Sequence, residues 1–191
     1  MKDAEKGFAL WFTGLPCSGK TTLAVLVSKK LRFLGYDVEH LDGDSFRLAY
    51  SKELGFSKKD REKNVSRAAR FAARFVQKNV VVAAAFVSPY RNMREHARKL
   101  MGSRFIEIYL RCPLSVCEKR DVKGMYQLAR LGKIKNFTGV SAPYETPLKP
   151  EIVLDTDSLG SEECVDRIMA YLDSKKFVGL KTVSTKKSWA A

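Results

Sequence analysis

Apolar and polar residues alternate in blocks along this chain, and the blocks predict strand and helix in turn. Phe8-Ala9-Leu10-Trp11-Phe12-Thr13 is apolar almost throughout and predicts a buried strand. Thr22 to Leu31 carries apolar residues at helical spacing, so a helix follows. Asp37-Val38-Glu39-His40-Leu41 predicts a second strand ending at Asp42-Gly43-Asp44. Ser57 followed by Asp60 resembles a capping box. It opens a long helix to about Lys78, with Val65, Ala68, Ala69, Ala72 and Phe75 on one face, closed by Asn79. The run from Val80 to Val87 is too continuous for an edge strand. Ser88-Pro89 then starts a helix to about Met101. Phe105 to Leu110 and Glu151 to Asp155 predict further strands, and Glu162 to Asp173 a last helix. This alternation specifies an α/β fold, a parallel sheet with helices on both faces.

One segment breaks the rhythm. From about Asp121 to Pro150 strand signals are few, while Lys, Arg, Gly, Pro and Tyr abound. A stretch this long inside a compact domain is usually a lid or binding loop. Lys123, Arg130, Lys133 and Lys135 suit a flap that closes over phosphates. We expect a single domain over residues 1–176, with the lid at about 121–150, and a basic, mobile tail over 177–191.

The junction of the first strand and helix carries the chemistry. Gly14-Leu15-Pro16-Cys17-Ser18-Gly19-Lys20-Thr21 matches G-x-x-x-x-G-K-[ST]. Backbone N–H groups of such a loop, with the helix N-terminus, converge on an anion. Lys20 is expected to reach the β- and γ-phosphates of ATP, and the Thr21 hydroxyl to ligate Mg²⁺. The fold class is therefore a P-loop nucleoside-triphosphate-binding fold.

Composition narrows the setting. The chain has 191 residues and 45% apolar content, ordinary for one globular domain. No apolar run reaches the roughly 20 residues of a membrane span, and Lys2, Asp3, Glu5 and Lys6 leave no secretory h-region. Cys17, Cys112, Cys117 and Cys164 form no C-x-x-C pair, which points to a reducing cytoplasm. The net charge of +14 suits phosphate, yet no RNA-binding motif, zinc-finger spacing or basic-aromatic stripe accompanies it. We expect small polyanionic ligands, with no specific nucleic acid and no membrane partner.

Guanine-reading N-K-x-D and switch segments are not visible, and the strand Val80 to Val87 ends in Ser88-Pro89 rather than an acid. Asp42 and Asp44 instead end the second strand, where open parallel sheets bind ligands. That suits a kinase. Asp44 is the candidate to accept a hydroxyl proton and to orient Mg²⁺, partly through water, with Asp42 the second candidate. Arg47 follows Asp44 by one helical turn, and Arg61 and Asn64 share a face at the start of the long helix. Phe56 and Phe137 could clamp a purine, since aromatic faces stack on bases. The acceptor is therefore expected to be anionic and aromatic.

G-L-P-C-S-G-K-T-T (Gly14 to Thr22), L-D-G-D-x-x-R (Leu41 to Arg47), L-G-F-S-x-x-D-R (Leu54 to Arg61) and F-V-S-P-Y-R (Phe86 to Arg91) together resemble the adenylylsulfate kinase family. So do the blocks Pro113 to Tyr126, Ile134 to Gly139 and Pro143 to Thr156. The resemblance covers about residues 8–172. It implies transfer of the ATP γ-phosphate to the ribose 3′-hydroxyl of adenosine 5′-phosphosulfate (APS), giving PAPS and ADP. It implies that Arg47, Arg61 and Asn64, with the backbone near Val87, hold the phosphosulfate and nucleoside. By the same resemblance Phe56 and Phe137 flank the adenine, Lys135 is a nearby cation and Arg130 lies near the ATP base. Ser88 matches a position sometimes labelled a phosphoserine intermediate; we expect direct in-line transfer, with Ser88 a helix N-cap and ligand contact. A homodimer, and association with an ATP sulfurylase, are also implied.

The chain departs from the family pattern at Pro16, Cys17 and Ser18 in the loop, where Pro16 removes one N–H donor. Lys63-Asn64-Val65-Ser66-Arg67 replaces E-N-I-R-R, Ala85 replaces a serine, and Ser141 an acid. The alternatives are another P-loop kinase acting on a nucleoside, nucleotide or antibiotic, and a nucleotide-binding regulatory domain without turnover.

Overall fold

In the computed structural model, which describes residues 7–179, a five-stranded parallel sheet has the order β2-β3-β1-β4-β5. The strands are β1 (Ala9–Thr13), β2 (Val38–Asp42), β3 (Val81–Ala85), β4 (Phe105–Arg111) and β5 (Ile152–Asp155). Around them run α1 (Lys20–Phe33), α2 (Gly43–Tyr50), α3 (Lys58–Gln77), α4 (Arg91–Met101), α5 (Leu114–Arg120), α6 (Met125–Arg130) and α7 (Ser161–Ser174).

The apolar runs are explained by burial on both sheet faces. Along the central strand, Phe8, Leu10 and Phe12 pack with α1 and α7, through residues such as Leu23, Val27, Val165 and Ile168. Ala9 and Trp11 face the opposite way, onto Val65, Ala69 and Ala72 of α3 and Met93 and Ala97 of α4. Trp11 stacks on Phe86 with ring centroids 5.3 Å apart. The alanines of β3 let helices approach closely on both sides. A third, smaller cluster joins Cys112 and Cys117 to Tyr126, Ala129 and Phe137 of the lid segment and packs against Leu15 and Cys17 of the loop.

Several expectations are corrected. The strand expected over Val80 to Val87 stops at Ala85, and the helix expected from Ser88 begins at Arg91 with Tyr90 as its N-cap residue. Ser88 does not cap it, because its backbone is left-handed (φ 37°) and its hydroxyl turns into the sheet. The helical turn expected from Asp44 to Arg47 is part of a full helix, α2, with the Asp42 side chain accepting from the N–H groups of Asp44 and Ser45. The lid segment contains a helix of its own, α6. The packed unit also runs past Lys176: Val178 is buried, and Phe177 meets Phe8 with centroids 5.1 Å apart. The rest of the expected tail, 180–191, lies outside the described residues.

Ser57 does cap α3. Its hydroxyl accepts from the Asp60 N–H at 3.2 Å and donates to the Asp60 carboxylate at 2.6 Å. Ser57→Ala should therefore cost about 1 kcal/mol and lower the melting temperature by about 2–4 °C, measured by calorimetry; an unchanged midpoint would remove the cap's contribution.

Candidate active site

The parallel sheet brings its strand ends to one edge, and the cleft forms where α1 and α2 leave the ends of β1 and β2. The loop after β1 is shaped by its own backbone. Gly14 has φ 154°, and a Cβ there would lie 2.7 Å from the Leu110 carbonyl and 2.9 Å from Ser18 Oγ. Gly19 has φ 96° at the head of α1, and Cys17 adopts a left-handed φ of 60°. Side chains from distant segments fasten the loop: Tyr126 donates to the Pro16 carbonyl at 3.0 Å, and Thr156 to the Ser18 carbonyl at 2.9 Å. Arg120 donates to the Thr156 carbonyl at 2.5 Å. No local spacing marks these three as loop supports.

Lys20 is buried, its Nζ donating to the Leu15 carbonyl at 2.5 Å. Burial pulls its pKa down from 10.5 to about 8, against the opposing pull of neighbouring thiols and of Asp44 and Asp42. Thr21 donates to Asp42 Oδ2 at 2.8 Å, so the loop hydroxyl is tied to Asp42 rather than to Asp44. Asp44 is exposed and pairs instead with Lys123 of the lid segment, Nζ to Oδ2 at 2.6 Å. That partnership raises the Lys123 pKa. These hydroxyl and carboxylate oxygens suit a hard cation such as Mg²⁺, which is held by few carboxylates and by substrate phosphates.

The far wall of the cleft is cationic. Arg47 and Arg61 lie on the Phe56 ring, with guanidinium carbons 4.7 and 5.4 Å from its centroid. Arg47 donates to the carbonyls of Leu54 and Gly55, and Arg61 to those of Phe56 and Asn136. Among the described residues neither reaches a carboxylate at ion-pair distance. Burial lowers both pKa values, and the Arg47 charge lowers that of Arg61 further. Two like charges share one half-buried wall. An anion would be welcome there.

Pro16, Cys17, Lys20, Thr21, Asp42, Asp44, Arg47, Phe56, Arg61, Asn64, Val87, Ser88, Lys135 and Phe137 thus meet around one cleft of about 320 Å³. Gly14, Leu15, Ser18 and Gly19 shape the loop from behind, and Thr22 is exposed outside the cleft. Arg130 is not brought to it; its guanidinium pairs with Glu118 across the lid. Phe56 is half-exposed, whereas Phe137 is buried edge-to-face on Tyr126 at 4.9 Å. Ser88 is buried, its oxygen accepting from Trp11 Nε1 at 3.1 Å and lying 3.0 Å from Thr13 Oγ1. Lys123 lines the cleft as well, and only its place in the basic lid pointed to it.

A phosphate loop at the edge of a parallel sheet, with carboxylates on the adjacent strand end and cations opposite, defines a P-loop phosphotransferase. Residues 6–155 match the family model for adenylylsulphate kinase, and the chain belongs to that family. It is 47% identical to an adenylyl-sulfate kinase of Clostridium acetobutylicum, over 91% of this chain and 87% of that one. The structure superposes with a TM-score of 0.84 on the Mycobacterium tuberculosis APS kinase in complex with AMPPNP and APS. Identity there is 36%, covering 88% of this chain and 98% of that one. A hexameric APS kinase from Thiobacillus denitrificans gives 0.71 at 30% identity, covering 92% of this chain and 30% of that one.

The buried Lys20 ammonium has a consequence for stability. With a folded pKa of about 8 against 10.5, the unfolded chain binds more protons between those values. The cost of burying the charge is therefore full below pH 8 and relieved as pH rises towards 10.5, on the order of 3 kcal/mol. Lys20→Met should melt higher than the parent at pH 7, and the gap should shrink by pH 10. A gap that stays constant with pH would refute the buried charge.

Proposed function

We propose that this protein is an adenylyl-sulfate kinase that transfers the ATP γ-phosphate to the 3′-hydroxyl of APS, giving PAPS and ADP. The observation that carries the choice of acceptor is the pair Arg47 and Arg61, like charges on one half-buried wall with only carbonyls as hydrogen-bond partners. A neutral sugar or antibiotic would leave that repulsion in place; a phosphosulfate would neutralise it. Phe56 beneath the guanidiniums and Phe137 in the lid segment offer ring faces for the adenine. Lys135 and Asn64 line the same half of the cleft.

In this reading the loop N–H groups and Lys20 bind the β- and γ-phosphates, and Asp44 accepts the hydroxyl proton as the acceptor attacks in line. Phosphate arriving at the loop competes with Asp44 for Lys123 and so frees the carboxylate. Thr21 and Asp44, with Asp42 through the Thr21 hydroxyl, would hold Mg²⁺, which neutralises phosphate charge when bound. The Ser88 hydroxyl serves no phosphoryl intermediate here, since it is buried and engaged. Arg130 would have to leave Glu118 to reach the ATP base. The reading extends to a cytoplasmic homodimer working beside an ATP sulfurylase. It is supported by the family resemblance, and self-assembly also by the hexameric relative. No helix among the described residues is long and apolar enough to cross a membrane.

A coupled ADP-release assay with APS, AMP and adenosine tests the reading. APS should be consumed far faster than the other two, and equal rates would refute the acceptor. Lys20→Ala should lower turnover by about a hundredfold or more, and Asp44→Asn should spare ATP binding while impairing transfer.

Arg47→Ala or Arg61→Ala should cost about 2–4 kcal/mol in kcat/KM for APS and much less for ATP. Both variants should also flatten the salt dependence. Phe137→Ala should cost about 1–3 kcal/mol through lost stacking, without that flattening. Equal losses for APS and ATP would assign the arginines to fold or nucleotide.

A further inference from the structure

The cleft wall formed by Val87, Ser88 and Pro89 does not follow from its local sequence. Ser88 is a left-handed residue without glycine's freedom, at φ 37°, and is buried. Such a conformation persists only where its surroundings over-determine it. The surroundings converge on Arg94, a buried residue in the first turns of α4 that lines no part of the cleft.

Its guanidinium divides its donors among separate elements. Nη1 donates to the Ser88 carbonyl and Nη2 to the Glu145 carbonyl, each at 2.6 Å, while Nε faces Glu107 Oε1 on β4 at 2.8 Å. The Tyr144 ring lies 5.6 Å from the guanidinium carbon, and its hydroxyl is 3.0 Å from Thr13 Oγ1. Thr13 in turn donates to the Val87 carbonyl at 2.9 Å. The C-terminal part of the lid segment is pinned from the other side too: the Glu145 N–H donates to the Pro89 carbonyl at 2.7 Å. The Glu145 carboxylate accepts from the Arg91 N–H, also at 2.7 Å. Glu107 is buried and supplies the counter-charge that lets the guanidinium stay inside.

We propose that Arg94 is a positioning residue for the acceptor half of the cleft. Through the Ser88 carbonyl, Glu145 and Glu107, it holds the Val87–Pro89 turn in the shape that the acceptor meets. This role rests on the function proposed above. The phosphate loop is fastened separately, by Tyr126 and Thr156, so loss of Arg94 displaces the acceptor wall and leaves the nucleotide side in place. A lysine keeps the charge but cannot reach the carbonyls and Glu107 together, because its donors radiate from one nitrogen.

The test compares steady-state kinetics of the parent, Arg94→Lys and Tyr144→Phe in the ADP-release assay, well below their melting temperatures. Arg94→Lys should raise the KM for APS about tenfold or more while the KM for ATP stays within about twofold of the parent. Tyr144→Phe, losing only the hydroxyl on Thr13, should raise the KM for APS about threefold. A lower melting temperature with both KM values unchanged, or an equal rise in both, would overturn the role. If Arg94→Lys does not fold, Tyr144→Phe decides: an unchanged KM for APS overturns the role and a selective rise supports it. A parent protein that does not consume APS overturns the proposed function and this role together. Turnover by the parent with unaltered variants overturns the role alone.

Discussion

The hydroxyl of Thr13, at the C-terminal end of the central strand, is the joint on which the cleft depends. It donates to the Val87 carbonyl and meets the hydroxyls of Ser88 and Tyr144, so the ends of β1 and β3 and the C-terminal part of the lid segment are tied at one atom. The joint is needed because a parallel sheet ends abruptly at this edge. Beyond Thr13 and Ala85 the ladder gives out, and the backbone groups that leave it must find partners or water. Here the Val87 carbonyl finds the Thr13 hydroxyl and the Ser88 carbonyl the Arg94 guanidinium. The core beneath is aromatic, with Trp11, Phe86 and Phe105 in contact, and the Trp11 side chain gives its one polar atom to Ser88. The apolar packing and the polar floor are thus a single structure, and the phosphate loop begins at the next residue, Gly14.

The periodicity of the sequence was enough for the strand–helix alternation, because β1 and β3 are buried on both faces and their apolar runs have no other explanation. The phosphate loop was legible for a different reason: Gly14 and Gly19 both answer a positive φ, a constraint local to the chain. Of helix α2 only the turn from Asp44 to Arg47 was foreseen, because the helix is short and opens directly at the end of β2. Ser88 misled for the opposite reason. Ser-Pro is a good local start for a helix, and the tertiary bonds to Trp11 and Thr13 overrode it.

The candidate site divides along the same line. Residues set by spacing within one element, such as Lys20 and Thr21, or Arg61 and Asn64, came together as expected. Contacts between segments distant in sequence left no local trace: Lys123 on Asp44, Tyr126 on Pro16, Arg94 on Ser88. Arg130 marks the limit of carrying a role across by resemblance. Its position is on the lid helix, but its charge is taken by Glu118, and the side chain's destination depends on that competition.

Electrostatics explain why this scaffold suits phosphoryl transfer between two anions. The net charge of +14 acts, under screening, mainly as attraction at a distance. The cleft concentrates a few charges under conditions that water does not soften. Lys20 is buried against its own loop, and Arg47 and Arg61 sit side by side over one ring. Each arrangement is unfavourable for the protein by itself, as the lowered pKa values of all three record. Phosphate at the loop and an anion at the arginine wall would relieve them separately, so the two halves of the cleft select their ligands by the same physics without sharing a charge. Asp44 lies between, exposed and paired with Lys123 of the lid segment. In the reading proposed above, a phosphate that draws Lys123 away would leave the exposed Asp44 carboxylate free to accept the hydroxyl proton, and proton acceptance would follow the arrival of a phosphate in the cleft.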